Sequence, residues 1–218
     1  MGNINASGGV RAVAAHDYIN WPDMETDAVA AAGLQTPRLD GAGSEQSPHS
    51  RHLLHRLPGA AEDIQALLVA ESNPCYSLPN AQAVQAAFDK IPFVVSFSSF
   101  MDETAMNADL ILPNHHYLER LEDVPVTAGM TRPVVGLSRP VVAPLYNTQH
   151  LGDTILQIAR ALKGTIASAF PWPDYQSCLR TTLGNRWQAL NAEGVWVGSE
   201  GEESNYETPS GKFVLLDN

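Results

Sequence analysis

Residues 71–80 read ESNPCYSLPN and residues 93–113 read FVVSFSSFMDETAMNADLILP, with a helix-like span between them. The first stretch follows Ala66-Leu67-Leu68-Val69-Ala70, a continuous apolar run that suits a strand buried on both faces. Glu71 to Pro79 then reads as a loop, with Asn73-Pro74 a turn signal and Pro79 a stop. Asn80 is placed to cap a helix over residues 81–89, in which Ala81, Val84, Ala87 and Phe88 share one face. Pro92 closes that unit, and Phe93-Val94-Val95-Ser96-Phe97 is the next strand. A strand, a helix and a strand in this order form a β-α-β unit with parallel strands. Residues 101–108 predict a short helix and Leu110-Ile111-Leu112 a third short strand. The expected fold is therefore α/β: a Rossmann-like, mainly parallel sheet with flanking helices, forming part of a multidomain protein.

In open parallel sheets ligands bind beyond the carboxyl ends of the strands. Ser72 and Asn73 sit at one such end and Ser98 and Ser99 at the next, followed by Asp102, Glu103 and Thr104. Their hydroxyl, amide and backbone N–H groups suit a phosphate, a ribose or a purine edge. On pattern alone the plainer reading, that Asn73 and the serines cap loops and helices, is the stronger one. Asp102 and Glu103 likewise suit a helix N-terminus, where acids meet the positive end of the dipole. Adjacent residues on a helix do not face each other, which argues against an acid–base pair.

The rest of the chain is less informative. Up to Pro58 it is rich in glycine and proline and reads mostly as loop, with one short helix across Asp27 to Ala32. His49, His52 and His55 are spaced by three, but Pro48 and the surrounding composition oppose the helix that would align them for a metal. His115 and His116 point apart if extended, and no carboxylate stands at zincin spacing. There is no G-x-S-x-G elbow and no P-loop. Gly41-Ala42-Gly43 lacks both the third glycine and the preceding strand of a dinucleotide fingerprint. After His115 the chain turns extended and proline-punctuated. An amphipathic helix then begins at Gly152-Asp153, with Ile155, Ile158, Ala159 and Leu162 on one side and Gly164 as its stop. Tyr175 to Leu183 is a weaker helix, and Phe170, Trp172 and Tyr175 form a packing cluster. Gly211 leads into an apolar strand-like run over residues 212–216.

Composition bounds the function further. A formal net charge of −11 argues against a nucleic-acid-binding surface, which needs clustered Lys and Arg. The two cysteines, Cys75 and Cys178, are too distant in sequence to suggest an iron–sulfur or zinc site within the chain. No apolar run approaches the ~18 residues of a membrane span, so no direct membrane insertion is expected. The first residues show neither a basic region followed by a long apolar stretch nor, with Ala6, a myristoylation pattern.

Several of these stretches together resemble a known family. Glu103-Thr104-Ala105 after a strand, followed by Ala108-Asp109-Leu110-Ile111-Leu112-Pro113, is similar to the "ETA, then AD-x-x-LP" signature of molybdopterin oxidoreductases of the DMSO reductase superfamily. Leu118-Glu119 is similar to the step that follows it there. Ser72-Asn73-Pro74 resembles the family's G-x-N-P cofactor loop, with Glu71 or Ser72 in the place of the glycine. Gly2-Asn3-Ile4-Asn5 with Gly8-Gly9-Val10, and Thr208-Pro209-Ser210-Gly211-Lys212-Phe213, resemble further family segments, so the likeness runs end to end. Residues 120–172 are most similar to the subgroup of quinone or polysulfide reductase complexes.

The resemblance implies a bis-molybdopterin guanine dinucleotide cofactor held between two α/β domains, and two-electron chemistry on a small substrate. It implies cofactor contacts from Ser72, Asn73, Pro74, Ser98, Ser99, Asp102, Glu103 and Thr104. Many relatives carry an acid at the second strand end, where the guanine is read, and Ser98 stands there in this chain. The molybdenum ligand and any iron–sulfur cysteines would precede Met1 and a cap domain would follow Asn218, which makes the chain an internal portion of a longer protein. Residues 1–60 are then an irregular segment from the preceding domain region. Residues 61–185 are the molybdopterin-dinucleotide-binding α/β domain, and residues 186–218 a linker and first strand toward a C-terminal domain. The implied partners are the rest of the polypeptide, an iron–sulfur subunit and a membrane quinone-reactive subunit, in a periplasmic or membrane-associated complex. The resemblance also admits a non-catalytic structural subunit of such a complex.

Overall fold

The computed structural model describes residues 19–22, 26–36, 57–59, 61–126 and 132–199. The expectations for residues 2–10, 41–43, His49, His52, His55 and residues 208–216 lie outside these. The chain divides into two compact units: Met24–Glu119 with Val142–Tyr175, and Met1–Asp23 with Arg120–Val141 and Gln176–Asn218.

The first unit carries the expected parallel sheet. Strands β1 (Leu67–Val69), β2 (Val94–Ser96) and β3 (Leu110–Ile111) lie in the order β1-β2-β3, all parallel. Leu67 pairs with Val94, and Val95 pairs with Leu110. The central strand β2 is the one buried throughout. β1 has only one neighbour among the described strands, so Leu68 is left 48% exposed, and the expectation of burial on both faces fails there. The loop after β1 contains a four-residue helix, α2 (Pro74–Ser77), with Pro74 as its first residue. Proline suits that position because its missing N–H would have no helical partner there.

Helix α3 (Ala81–Phe88) follows its sequence signals closely. The Asn80 side chain accepts from the Ala83 N–H at 3.3 Å, and Val84, Ala87 and Phe88 are buried. They join Leu57, Ala61, Val69, Cys75, Ile91 and Val94 in one apolar core. Each large side chain there contributes roughly 1.5–3 kcal/mol of burial. The short helix predicted over 101–108 is a single 3-10 turn, Ala105–Asn107. Asp109, the acid of AD-x-x-LP, has a structural task. Its carboxylate accepts from the Val94 N–H at 2.7 Å while its own N–H donates to the Val94 carbonyl at 2.9 Å, which closes the β2 ladder at its start.

Two further helices complete this unit beside α1 (Ala28–Gln35), which Asp27 caps. Helix α4 (Leu151–Leu162) starts one residue before Gly152. Its buried residues are Thr154, Leu156 and Ala159, and Leu162 is 62% exposed, so the buried stripe is turned away from the predicted one. Gly164 does not stop it. Lys163 makes the turn, with φ 61°, and Gly164 opens α5 (Gly164–Ala169).

The second unit holds a sheet that the sequence reading did not anticipate. Strands β4 (Glu122–Pro125), β5 (Val134–Ser138) and β6 (Val195–Val197) pair antiparallel in the order β4-β5-β6. Strand β5 alternates in burial, with Val135 and Leu137 inward. Leu183 of α6 (Tyr175–Leu183) and Leu190 of α7 (Arg186–Glu193) are fully buried. The Arg186 guanidinium lies 5.1 Å above the Trp196 ring. Burial pushes the Cys178 thiol up to about 11. Among the described residues no helix is long and apolar enough to cross a membrane.

Candidate functional site

Three loops leave the carboxyl ends of β1, β2 and β3, and hydrogen bonds join them into one rim. The closest tie runs between the first two. Asn73 and Thr104 both occupy cap positions, at α2 and at the 3-10 turn, yet neither side chain caps its own helix. They bond each other instead. The Thr104 hydroxyl donates to Asn73 Oδ1 at 2.7 Å and accepts the Cys75 N–H at 3.1 Å. Asn73 Nδ2 donates to Glu103 Oε2 at 2.7 Å. The N-P loop and the E-T-A turn, separated in sequence by some thirty residues, are thus a single hydrogen-bonded unit. Thr104 is fully buried, Asn73 half-buried and Glu103 exposed.

The second loop is internally braced. The Ser98 hydroxyl donates to Asp102 Oδ2 at 2.7 Å and accepts from the Phe100 N–H at 3.2 Å. Asp102 Oδ1 accepts from the Ala105 N–H at 2.7 Å, so this acid does cap the 3-10 turn. Ser99 reaches the third loop, donating to the Asn114 carbonyl at 2.7 Å. Ser72 is exposed on the first loop, and Pro74 is buried at the start of α2.

Sequence reasoning missed Asn114, and considered Glu71 only for the place of the loop glycine. Asn114 is 3% exposed. Its Nδ2 donates to Glu71 Oε1 at 2.9 Å and its Oδ1 accepts from the Leu151 N–H, the first of α4, at 2.9 Å. The signal was present: Asn114 follows Leu112-Pro113 at the end of the third strand, where the strand-end rule applies as at the other two. Next to it, His115 Nδ1 bonds the Thr148 hydroxyl at 2.7 Å, while the His116 ring lies tilted by 43° against Tyr117, with centroids 4.2 Å apart. Among the described residues no three His, Cys, Asp or Glu side chains are grouped to hold a metal.

Beyond β3 lies a cavity of about 300 Å3 lined by the apolar residues Ile111, Leu112 and Pro113 and by the polar residues Asn147, Thr148, Gln149 and Thr154. All the ionisable groups of the strand-end loops at residues 70–73 and 97–104 are acids: Glu71, Asp102 and Glu103. The Asn73 amide, and then the backbone N–H of Glu103 itself, hold the Glu103 carboxyl below its usual range. Burial raises the Cys75 thiol, which keeps it protonated at neutral pH. The N–H groups of Leu145 and His116, bonded to Glu119, lower that carboxyl too.

These depressed carboxyls give the rim a pH dependence. In the folded state Glu103 and Glu119 bind protons less readily than in the unfolded chain, so their contribution is complete above the ordinary value of 4.5 and is lost as pH falls through the lowered folded values. Amide exchange at Leu145 should therefore accelerate as pH is taken from about 6 to about 3, after correction for intrinsic rates, before the β2 ladder opens. Unchanged protection of Leu145 over that range would contradict the assignment.

A family model described as molybdopterin oxidoreductase matches residues 7–160. The chain is 35% identical over 162 residues to the menaquinone reductase, molybdopterin-binding-like subunit of Nitratidesulfovibrio vulgaris, covering 74% of this chain and 21% of that protein. It is 26% identical over 114 residues to the thiosulfate reductase molybdopterin-containing subunit of Salmonella typhimurium, covering 52% of this chain and 15% of that protein. Among solved structures, acetylene hydratase from Pelobacter acetylenicus shares the fold with a TM-score of 0.61 and 24% identity, over 73% of this chain and 23% of that one. The chain thus spans about a fifth of the length of these relatives. With its motif loops bonded into one strand-end rim and most of its length inside the family match, the chain belongs to the molybdopterin oxidoreductase family.

Proposed function

We propose that the parallel-sheet unit forms one wall of the site for a pterin guanine dinucleotide in a redox protein, with the cofactor lying against the carboxyl ends of β1, β2 and β3. The observation that carries this reading is the convergence of three strand-end loops into one braced rim beside a cavity of about 300 Å3. The cavity's lining fits part of such a group: side-chain amides and hydroxyls together with apolar residues suit a flat, neutral, hydrogen-bonding heterocycle. In this reading Ser72, Ser98 and Ser99 face the nucleotide, and Asn73, Pro74, Asp102, Glu103 and Thr104 hold the loops that present them. When bound, the cofactor supplies the two-electron redox chemistry; this chain's residues bind and orient it. Small-substrate turnover, iron–sulfur and quinone-reactive partners, and placement in a respiratory complex belong to the same proposal. The likeness to a subunit of a menaquinone reductase supports the quinone-linked part of it.

A second reading, a non-catalytic assembly subunit, is favoured by one specific observation. The side chains of Asn73, Thr104, Ser98 and Asp102 bond one another, and the ionisable groups of the first two loops are acids, a poor setting for a pyrophosphate. Molybdenum and pterin analysis of the full-length protein that carries this chain separates the two. About one metal per polypeptide with releasable guanine nucleotide supports the cofactor wall, and absence of both supports the assembly role. Turnover by the 218 residues alone would overturn both.

A further inference from the structure

Glu71 follows β1 after one intervening residue, Ala70, and has φ 51°, the left-handed conformation that a residue with a Cβ adopts only under strain. Of the two residues at the place of the loop glycine, Glu71 is the one with a positive φ. Something must hold an acidic side chain in a glycine conformation, and the rim shows what does. The buried Asn114 amide donates to Glu71 Oε1 at 2.9 Å. The same residue accepts the first N–H of α4 through its side chain, accepts the Ser99 hydroxyl through its carbonyl and donates its N–H to the Phe97 carbonyl at 3.2 Å. One residue therefore touches the ends of all three parallel strands and the start of a helix.

We propose that Glu71 and Asn114 are a positioning pair: the buried amide locks Glu71 into the left-handed conformation and thereby sets the path of the first loop, Ser72-Asn73, across the rim. The bond is charge-assisted, and such bonds outweigh neutral ones by about twofold, enough to offset a strained backbone. The lock replaces the conformational freedom of a glycine with a side-chain tie, so the loop is held by chemistry at β3 rather than by its own sequence. The consequence for a cofactor rests on the wall reading above; the lock itself does not.

The two partners can be exchanged to test this. Asn114→Asp keeps the oxygen that accepts from Leu151 but sets a carboxylate against Glu71, so it cuts the first-loop tie and spares the helix. Glu71→Gln alone retains an acceptor for Asn114, and in the double variant its amide donates to Asp at position 114. Hydrogen exchange on the 218-residue chain should show residues 70–73 opening about tenfold faster in Asn114→Asp. Residues 151–154 should keep wild-type protection there, Glu71→Gln, which keeps only a neutral bond, should open the loop less than Asn114→Asp does, and the double variant, whose amide–carboxylate bond is again charge-assisted, should recover. Should Asn114→Asp fail to fold, Glu71→Ala severs the same bond from the exposed side and is expected to give the same loop opening. Wild-type exchange at 70–73 in the severed variants, or no recovery in the double variant, overturns the lock. Pterin content of the full-length protein with the same substitutions is read separately. A wild type without pterin defeats the wall reading and leaves the exchange result standing.

Discussion

Thr104→Val should lower the unfolding free energy by about 2–4 kcal/mol, measured by urea or guanidinium unfolding with an unchanged denaturant slope. The two side chains are nearly equal in volume, so the loss is one of hydrogen bonding and not of packing. The Thr104 hydroxyl donates to Asn73 Oδ1 and accepts the Cys75 N–H, and the residue is fully buried. A methyl group in its place leaves the Cys75 N–H without its hydroxyl acceptor in a site where water is excluded. An unsatisfied buried group costs about 1–3 kcal/mol, and the severed Asn73 carbonyl adds to that. Thr104→Ser is the control. It keeps the oxygen and loses one buried methyl, worth about 1 kcal/mol. A valine variant as stable as the serine variant would show that the hydroxyl does not clamp the two loops.

This clamp explains how far the sequence could be read. The β-α-β order, the Asn80 cap and the buried face of α3 were legible because they rest on local periodicity and turn chemistry. The strand-end position of Asn73, Ser98 and Thr104 was legible too, since it follows from the same order. Their partners were not. A side chain at a helix start is expected to bond that helix, and Asp102, two residues before the cap position, does so. For Asn73 and Thr104 the long-range partner wins, because the first two strand-end loops bring the two cap positions within hydrogen-bond distance. Asn114 was overlooked because its role exists only once β3 lies beside β2 and α4 returns to the strand ends. The antiparallel sheet was hidden for a related reason. Its strands are short and carry Pro125 and Gly136, and β6 comes from a distant part of the chain. The buried stripe of α4 departs from its periodicity because Thr154 is buried there while Leu162 is left exposed. The family motifs therefore carry two kinds of information. Asp109 and Ala105 hold the fold, and Asn73 with Glu103 and Thr104 holds the rim.

Gly152→Ala should cost about 2 kcal/mol, against the usual gain of up to about 1 kcal/mol when alanine replaces glycine in a helix. A methyl group at this position would lie 2.4 Å from Tyr175 Cδ2, 2.7 Å from Cγ and 3.0 Å from Cβ. Such contacts are relieved cheaply only where the far end of a flexible side chain can swing away. Here the two severe contacts are to the ring atoms Cδ2 and Cγ, and the ring is held in place by its neighbours. The ring is also stacked on His150 at 4.4 Å, and the Tyr175 N–H is bonded to Asp153. His150 in turn accepts the Gly152 N–H through Nδ1 at 2.9 Å, so moving the ring disturbs the cap of α4. Gln149 and Thr154, on either side of this cap, line the cavity beyond β3. The displacement should therefore reach the cavity as well as the stability. Tyr175→Ala supplies the second arm of a double-mutant cycle. With the ring removed, Gly152→Ala should become neutral or stabilising, a coupling of about 2 kcal/mol between residues in contact. A single Gly152→Ala variant as stable as wild type, or one whose cost persists without the ring, would mean that Gly152 does not serve as the seat of Tyr175.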